Sequence, residues 1–263
     1  MSALKALLFD VDGTLVDTEE LHRQAFNQAF LEFGLQWTWS HDLYTELLAV
    51  SGGTDRIAHY IDWLKLPAGE KTRLRQLITP VHNEKTRIYG RLIASNKAML
   101  RPGVGRLIDE ARAEGLTIGL AATSALENVH TLLDAALSRE QRDAVDPIAC
   151  VSHVKRRKPA PDVYELLLTQ LRLPAEACVA FEDSTNGVAA AKAARLFTVA
   201  VPSRWTRDRD FGDADVMIES LGEPNHPLAP RDTARIGAPF LDLAQLRALR
   251  EASLHRLPLK AKA

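Results

Sequence analysis

The sequence predicts an α/β protein with a doubly wound, Rossmann-like parallel sheet and a helical cap domain inserted after the first strand. Three observations carry this prediction. Near the start, the apolar run 7–9 leads directly into two acids, as a buried parallel strand does when it ends at a ligand site. Residues 18–96 show helical spacing with few strand signals. From residue 101, strand and helix patterns alternate, which is typical of consecutive βα units.

The predicted elements divide the chain into three parts. We expect a discontinuous core of residues 1–17 and 97–222, a cap of residues 18–96, and a C-terminal extension of residues 223–263 that contains a Pro-rich linker and a helix packing on the core. The cap begins with a helix over 18–33, for which Thr18 is a candidate N-cap and Gly34 a candidate end. The later predictions are helices over 104–114, 161–171, 187–194 and 241–254, strands over 116–122, 178–181 and 197–201, and an apolar segment over 148–151.

The composition excludes several classes of protein. The 263 residues are 46% apolar and 25% charged, with a formal net charge of −1, so we expect neither a nucleic-acid partner nor a membrane partner. No apolar run approaches the roughly 18 residues of a spanning helix, and no signal-peptide pattern is present. Cys150 and Cys178 do not form a C-x-x-C pair, so neither disulfides nor zinc are indicated. These features predict a cytoplasmic protein, which we expect to be a monomer.

The stretch that ends the first strand is the strongest candidate for chemistry. Asp10 and Asp12 lie one residue apart and are followed by Gly13. An Asp-Gly turn with Asp10 as a helix cap is the alternative interpretation. Buried carboxylates at a strand end require a compensating cation, and Mg²⁺ is the hard cation that prefers oxygen ligands. Glu182 and Asp183 end a later strand in the same way, and two such acid pairs are difficult to explain as turns.

Two further stretches contain polar residues at positions where a ligand would lie. Thr123 and Ser124 follow the strand over 116–122, where each is a candidate for ligand contact or for capping the next helix. Lys158 stands in Lys158-Pro159-Ala160-Pro161-Asp162 and would place one fixed cation beside the acids. Because Lys155, Arg156 and Arg157 precede it, a solvated basic run is the alternative.

In this order and over most of the chain, the four motifs resemble those of the haloacid dehalogenase superfamily. The resemblance implies that Asp10 is a nucleophile forming an aspartyl-phosphate, that Asp12 is a general acid and base, and that Lys158 is the catalytic cation. It also implies an Mg²⁺ site formed by the Asp10 carboxylate, the Asp12 backbone carbonyl, Asp183 and, directly or through an adjacent ligand, Glu182. The chain departs from the family at Ala122, where related sequences have a hydroxyl, and this leaves open whether the side chain or the backbone of Thr123 replaces it.

Within the superfamily, the helical insertion resembles the cap of the β-phosphoglucomutase-like group. Residues 18–22 and 52–57 are most similar to CbbY-type sugar-bisphosphate phosphatases, which implies a small phosphorylated sugar, with xylulose 1,5-bisphosphate favoured. Glu19 and His22 lie three residues apart on one helix face, where both can contact the sugar, although His22 can equally be a satisfied helix histidine. Gly52, Gly53 and Arg56 form the candidate clamp for a second phosphate. Lys85 could assist Arg56 as a point charge, but it is more readily explained as a surface lysine.

The sequence therefore predicts an Mg²⁺-dependent phosphatase acting on a small sugar bisphosphate. The alternatives are a mutase of the β-phosphoglucomutase kind, which uses the same residues, and a non-catalytic phosphosugar-binding protein, for which Ala122 is the only support.

Overall fold

A six-stranded, fully parallel sheet forms the centre of the computed structural model, which describes residues 3–95 and 98–256. Within these residues the strand order is β3-β2-β1-β4-β5-β6, which is the predicted doubly wound arrangement. β1 lies between β2 and β4, so the carboxyl ends of these three strands meet at one edge. The strands are β1 Ala6–Phe9, β2 Thr117–Ala121, β3 Val145–Ala149, β4 Cys178–Glu182, β5 Phe197–Ala200 and β6 Val216–Met217.

Both faces of the sheet are covered, as an all-parallel sheet requires. Alternate residues of β1 enter two different apolar clusters: Leu7 and Phe9 lie in one, Ala6 and Leu8 in the other. All four are fully buried, which explains why this strand has a continuous apolar sequence. Phe9 stacks on Phe181 of β4 with the ring centroids 4.5 Å apart, so the two acid-bearing strands are held in register.

Twelve α-helices are present in the described part of the chain. The predicted helices are present with ends shifted by up to two residues, and α10 begins where Ser184 caps it by accepting a hydrogen bond from the Gly187 N–H. The helices are α1 Glu19–Glu32, α2 His41–Leu47, α3 Gly53–Trp63, α4 Ala68–Gln76, α5 Ile78–Ser95, α6 Val104–Ala113, α7 Leu126–Ala136, α8 Arg139–Asp143, α9 Asp162–Leu171, α10 Thr185–Ala193, α11 Pro230–Ile236 and α12 Leu243–Arg256. None of these described helices has the length and hydropathy that a membrane span requires.

Helices α1 to α5 lie between β1 and β2 in the chain and form a helical insertion with aromatic packing. Phe26 and Phe30 of α1 pack against Trp39, whose ring centroid lies 4.6 and 4.8 Å from theirs. α1 ends at Gly34, where φ is +66°, a conformation that glycine adopts without the Cβ penalty. The predicted cap boundary between residues 96 and 97 lies outside the described residues.

The C-terminal part of the chain packs on α6 and adds the last strand to the sheet. Arg106 of α6 donates hydrogen bonds to the carbonyls of Leu221, Gly222 and Leu241. The sequence analysis did not predict β6 or α11, because a strand of two residues and a helix of seven residues give too few positions for a periodic signal. The basic tail beyond residue 256 lies outside the described residues.

We expect the C-terminal part to unfold together with the core. Leu241 is fully buried in the main apolar cluster, so Leu241→Ala should lower the free energy of unfolding by about 2–5 kcal/mol. Leu31 is 76% exposed, so Leu31→Ala is the matched control and should change stability by less than about 0.5 kcal/mol. Denaturant titration measures both variants. A Leu241→Ala loss as small as that of the control would show that the extension is not part of the cooperative unit.

Candidate active site

Three parallel strands bring the predicted acids, hydroxyls and lysine to one edge of the sheet. Asp10 and Asp12 follow β1, Glu182 and Asp183 lie at the end of β4, and Thr123 follows β2. Because β2 and β4 flank β1, these residues meet although they are far apart in the sequence. The structure places Asp10, Asp12, Asp183 and Thr123 in the walls of one chamber with Lys158, which precedes α9. Glu182 is fully buried and accepts a hydrogen bond from Lys158.

Lys158 is the centre of the hydrogen-bonded network at this edge. Its ammonium group donates to Asp10 Oδ1 and to Glu182 Oε1, each at 2.6 Å, and to the Ala121 carbonyl at 2.9 Å. Burial opposes the charge on Lys158, but the two carboxylates outweigh it and raise the pKa of the ammonium group. The interpretation of Lys158 as part of a solvated basic run is wrong, because its side chain is buried against both acids.

Asp10, Glu182 and Asp183 form the one cluster in the described residues whose side chains could together hold a metal ion, with ligand atoms within 4.8 Å of one another. Three buried carboxylates face a single lysine, so the set has an excess of negative charge. Burial, followed by the charge of Asp10, raises the pKa of Asp183 well above its ordinary value. Glu182 Oε2 is buried without a hydrogen-bond partner. An oxygen-rich, undercompensated site of this kind fits Mg²⁺.

The loop after β1 approaches Asp183 closely because Gly13 has no side chain. A Cβ at Gly13 would lie 2.2 Å from Asp183 Oδ2, and the φ of Gly13 is +91°. Thr206, in the loop after β5, donates to the Asp183 carbonyl at 2.6 Å and so fixes the other side of this residue. Arg101 donates to the Gly13 carbonyl at 2.7 Å. The positions of both acidic loops are therefore held by the core.

Asp12 is held as a carboxylate by four hydrogen bonds, most of which come from the helical insertion. Thr18 donates to Asp12 Oδ1 at 2.6 Å, and Tyr89 donates at 2.8 Å; His22 Nε2 lies 3.0 Å from the same oxygen, while Ser124 donates to Oδ2. Burial opposes the charge, but His22 and these hydrogen bonds outweigh it, so the pKa of Asp12 lies below its ordinary value. The closed chamber thus holds Asp12 in its ionised form.

The prediction that Lys85 is a surface lysine is wrong. Lys85 is buried on α5, and its ammonium nitrogen lies 2.6 Å from His22 Nδ1. The ammonium also lies over the rings of Phe26 and Tyr89, at 4.9 and 4.8 Å. Burial lowers the pKa of Lys85 to about 8. A hydrogen bond from Lys85 to His22 Nδ1 leaves the Nε2 hydrogen of His22 to donate to Asp12.

Glu19 and Arg56 face the acids from the insertion side of the chamber. Tyr44 joins them: its hydroxyl donates to Glu19 Oε2 at 2.8 Å and accepts from Arg56 Nη1 at 3.1 Å. Arg56 also donates to the carbonyls of Leu47 and Val50, so its guanidinium group is fixed before any ligand arrives. The sequence analysis missed Tyr44, since an aromatic residue on a helix is most often part of a core.

Two neighbouring cavities, of about 80 and 130 Å³, form the chamber. The first is lined by Asp10, Lys158 and Asp183 together with Thr123, and the second extends toward the insertion. Both cavities contain Asp12, Glu19, Gly52, Arg56 and Thr123 in their walls, while His22, Gly53, Lys85, Ser124 and Arg157 line the second. All the predicted substrate-binding residues are therefore brought to one place.

Ala122 does not face the chamber, whereas Thr123 does. Ala122 is buried in the main apolar cluster, and its N–H donates to the Ala149 carbonyl of β3. The next residue, Thr123, lines both cavities, and Ser124 is bound to Asp12. The hydroxyls in this loop thus lie one and two residues beyond the expected position.

The helical insertion is closed over the core through contacts with three core segments. Trp205 stacks on His41 of α2, with centroids 4.1 Å apart and planes 6° apart, and meets Tyr44 edge-on at 5.6 Å. The Arg157 guanidinium donates to the Thr54 hydroxyl at 3.2 Å. Asn186 donates to the Ala49 carbonyl at 3.1 Å. The sequence analysis missed Trp205 and Arg157 because these contacts join residues more than 100 positions apart.

The fold and the site together define a hydrolase of phosphoric monoesters. The chain belongs to the haloacid dehalogenase-like hydrolase family, whose model matches residues 4–195. This match confirms the resemblance that the motifs indicated. The name of a relative from Bacillus subtilis, putative phosphatase, is consistent with it. That relative is 31% identical over 220 residues, which cover 84% of this chain and 93% of the relative.

Several relatives are CbbY proteins. The chain is 40% identical to the plasmid CbbY protein of Cupriavidus necator over 251 residues, which cover 95% of this chain and 98% of the relative. The chain is 46% identical to CbbY of Rhodobacter capsulatus over 219 residues, which cover 83% of this chain and 94% of the relative. A crystal structure of CbbY from Rhodobacter sphaeroides in complex with xylulose-(1,5)bisphosphate has a TM-score of 0.76 and 41% identity, covering 84% of this chain and 96% of that chain. β-Phosphoglucomutase from Clostridium difficile shares the fold, with a TM-score of 0.68 and 21% identity. The match covers 96% of this chain and all of that chain.

The acid cluster predicts that Mg²⁺ stabilises the protein more strongly at higher pH. Burial raises the pKa of Glu182 from 4.5 to about 7, and that of Asp183 also lies above its ordinary value. Between pH 4.5 and about pH 7, Glu182 keeps its proton in the folded chain and has released it in the unfolded chain. The metal-free protein therefore loses stability as the pH rises through this range. Mg²⁺ requires the deprotonated acids, so the Tm increase on adding it should be larger at about pH 8 than at about pH 5.

Two variants make this measurement specific to the cluster. Asp183→Asn should remove most of the Mg²⁺-dependent Tm increase. Asp232 is also a buried acid, but it accepts a hydrogen bond from the Glu219 N–H outside the cluster, so Asp232→Asn should retain the increase. A Tm that rises equally with Mg²⁺ in wild type and Asp183→Asn would exclude a metal site at these carboxylates.

The Trp205 stack predicts that this residue keeps α2 on the core. Trp205→Ala removes the contacts with His41 and Tyr44, so amide exchange in α2 should become faster by roughly tenfold or more. Trp63, which is 60% exposed on α3, gives the matched control: Trp63→Ala should leave exchange in α2 unchanged. Hydrogen exchange followed by mass spectrometry measures both. Equal exchange in the two variants would show that other contacts hold α2.

Proposed function

We propose that this protein is an Mg²⁺-dependent phosphatase that hydrolyses a small sugar bisphosphate, with xylulose 1,5-bisphosphate favoured, through an aspartyl-phosphate on Asp10. The observation that carries the proposal is the position of Lys158, which bridges Asp10 and Glu182 on the core side of the chamber. Glu19 and Arg56 lie on the opposite side. The chamber thus combines a carboxylate nucleophile with groups that can bind a polyol and a phosphate.

In the first step, a carboxylate oxygen of Asp10 attacks phosphorus and the bond from phosphorus to the sugar oxygen breaks. The negative charge of the bound phosphate favours a proton on Asp12, and Asp12 gives this proton to the departing sugar oxygen. In the second step, water attacks the aspartyl-phosphate and transfers a proton to Asp12, which releases phosphate and restores Asp10. Lys158 offsets the negative charge that collects on the transferred group in both steps.

Asp10, Asp183 and the Asp12 backbone carbonyl would hold Mg²⁺, and Glu182 would ligate it directly or orient Asp183. When bound, the ion supplies positive charge that offsets the phosphate and allows it to approach the buried carboxylates. Thr123 would donate a hydrogen bond from its hydroxyl to the transferring phosphate, because Ala122 has no hydroxyl group.

The insertion would act as a cap that recognises the rest of the substrate. Glu19, held by Tyr44, can accept hydrogen bonds from sugar hydroxyls, while Arg56, Gly52 and Gly53 form one wall of the second cavity. Arg157, also in this wall, adds a second guanidinium group. The relative from Rhodobacter sphaeroides was crystallised with xylulose-(1,5)bisphosphate, which supports a pentulose bisphosphate here. Contacts with a distal phosphate add binding energy that closure of the cap can use.

A panel of three substrates tests the proposed function. With Mg²⁺ present, phosphate release should be fast from xylulose 1,5-bisphosphate and slow from ribulose 1,5-bisphosphate and β-glucose 1-phosphate. Product identity must be measured as well, because conversion of β-glucose 1-phosphate to the 6-phosphate without net release would mean that the protein is a mutase. Turnover of none of the three would refute the bisphosphatase proposal.

Asp10→Asn should lower phosphate release by at least about 10³-fold, because an amide is a poor nucleophile. The variant should still bind the substrate, since Glu19 and Arg56 remain. Asp134 has a side chain that is 68% exposed and lies outside the chamber, so Asp134→Asn is the control and should retain activity. Unchanged phosphate release from purified Asp10→Asn protein would rule out the aspartyl-phosphate mechanism.

A further inference from the structure

A separate, arginine-lined cavity lies outside the catalytic chamber, between the loop after β5 and α11. Its volume is about 440 Å³, which is within the range of small-molecule sites. One wall is formed by residues 202–208 and the other by residues 229–235. Five arginines line it, although the whole chain has a net charge of −1: Arg101, Arg204, Arg207, Arg231 and Arg235.

The positive charge in this cavity is only partly compensated. Arg204 lies 3.6 Å from Asp17, and Arg235 donates to the Met217 carbonyl. Among the described residues, neither Arg207 nor Arg231 has a side-chain hydrogen bond or an ion pair within 4.0 Å. Three acids, Asp208, Glu219 and Asp232, also line the cavity, so its five arginines exceed its acids by two charges. Arg207 and Arg231 are both exposed, and their guanidinium groups are available to a ligand.

We propose that this cavity binds a small phosphorylated metabolite carrying two anionic groups, at a site separate from the catalytic chamber. A guanidinium group presents paired N–H donors in a planar fork that matches phosphate and carboxylate oxygens. Arg207 and Arg231 come from opposite walls, so one ligand with two anionic groups engages both. The volume of about 440 Å³ and the limited number of arginines fit a small molecule and not an extended polyanion.

The cavity lies directly behind the catalytic loop. Arg101, which lines the cavity, donates to the Gly13 carbonyl at 2.7 Å and to the Pro202 carbonyl at 2.9 Å. The loop that forms one wall also contains Thr206, which donates to the Asp183 carbonyl. A ligand between the two walls thus contacts the segment that positions the catalytic acids, which is a suitable place for an effector of the enzyme.

Calorimetric titration of the full chain with inorganic pyrophosphate tests the proposal. The titration is performed without divalent cations, because the catalytic chamber then presents the carboxylates of Asp10, Glu182 and Asp183 and disfavours a polyanion. Wild type should bind one pyrophosphate, and inorganic monophosphate should bind at least about tenfold more weakly. Arg207→Glu and Arg231→Glu should each weaken binding of pyrophosphate by about tenfold or more.

Arg139→Glu is the matched control because it makes the same change in net charge at a side chain that is 90% exposed and outside the cavity. It should alter the affinity by no more than about twofold. Three results would overturn the proposal: no binding to wild type, an equal loss in Arg139→Glu, or binding that survives both cavity variants. Since no turnover is measured, failure here leaves the proposed phosphatase activity untouched, and failure of the substrate panel leaves this site untouched.

Discussion

The structure depends on the compensation of buried negative charge at the carboxyl edge of the sheet. β1 and β4 deliver three carboxylates to a place where water is excluded, and one lysine, Lys158, bridges two of them at 2.6 Å. The strand order requires this, because β1 and β4 are neighbours and both acid pairs follow their apolar residues directly. A phosphate would add more negative charge, which a divalent cation would offset. The same imbalance of charge makes the metal-free site unfavourable and is the physical reason for proposing Mg²⁺ there.

Asp12 connects this core chemistry to the closed insertion. Three of its four hydrogen-bond partners lie in the insertion: Thr18 immediately before α1, His22 in α1 and Tyr89 in α5. When the insertion is closed, these partners stabilise the carboxylate form of Asp12. Opening would remove several of them and allow Asp12 to hold a proton more readily. The protonation state of Asp12, the proposed general acid and base, is therefore linked to the position of the insertion. Lys85 contacts the other ring nitrogen of His22.

Features that depend on neighbouring residues could be predicted from the sequence, whereas contacts between residues far apart in the chain could not. Strand ends are local features, so Asp10, Asp12, Glu182 and Asp183 could be identified from apolar runs that end in acids, and the parallel sheet from alternating elements. Lys85 could not, because its partner His22 lies 63 residues away and the sequence around it has the appearance of an exposed helix face. Tyr44 and Trp205 gave no signal for the same reason, as their contacts form only when α2 meets the loop after β5. The sequence also left open which hydroxyl after β2 faces the chamber, because a shift of one residue decides between Ala122 and Thr123.

The loop after β5 is where these separate requirements meet. Trp205 packs on α2 of the insertion, and the adjacent Thr206 holds the Asp183 carbonyl, so one short segment of the core touches both sides of the chamber. Arg101 joins this loop to Gly13 through the carbonyls of Val201 and Pro202. A displacement of the loop therefore moves Asp183, a proposed metal ligand, and at the same time moves the aromatic surface that holds the insertion. Because packed interfaces change between discrete arrangements more readily than they deform continuously, closure of the insertion and assembly of the acid cluster should occur together.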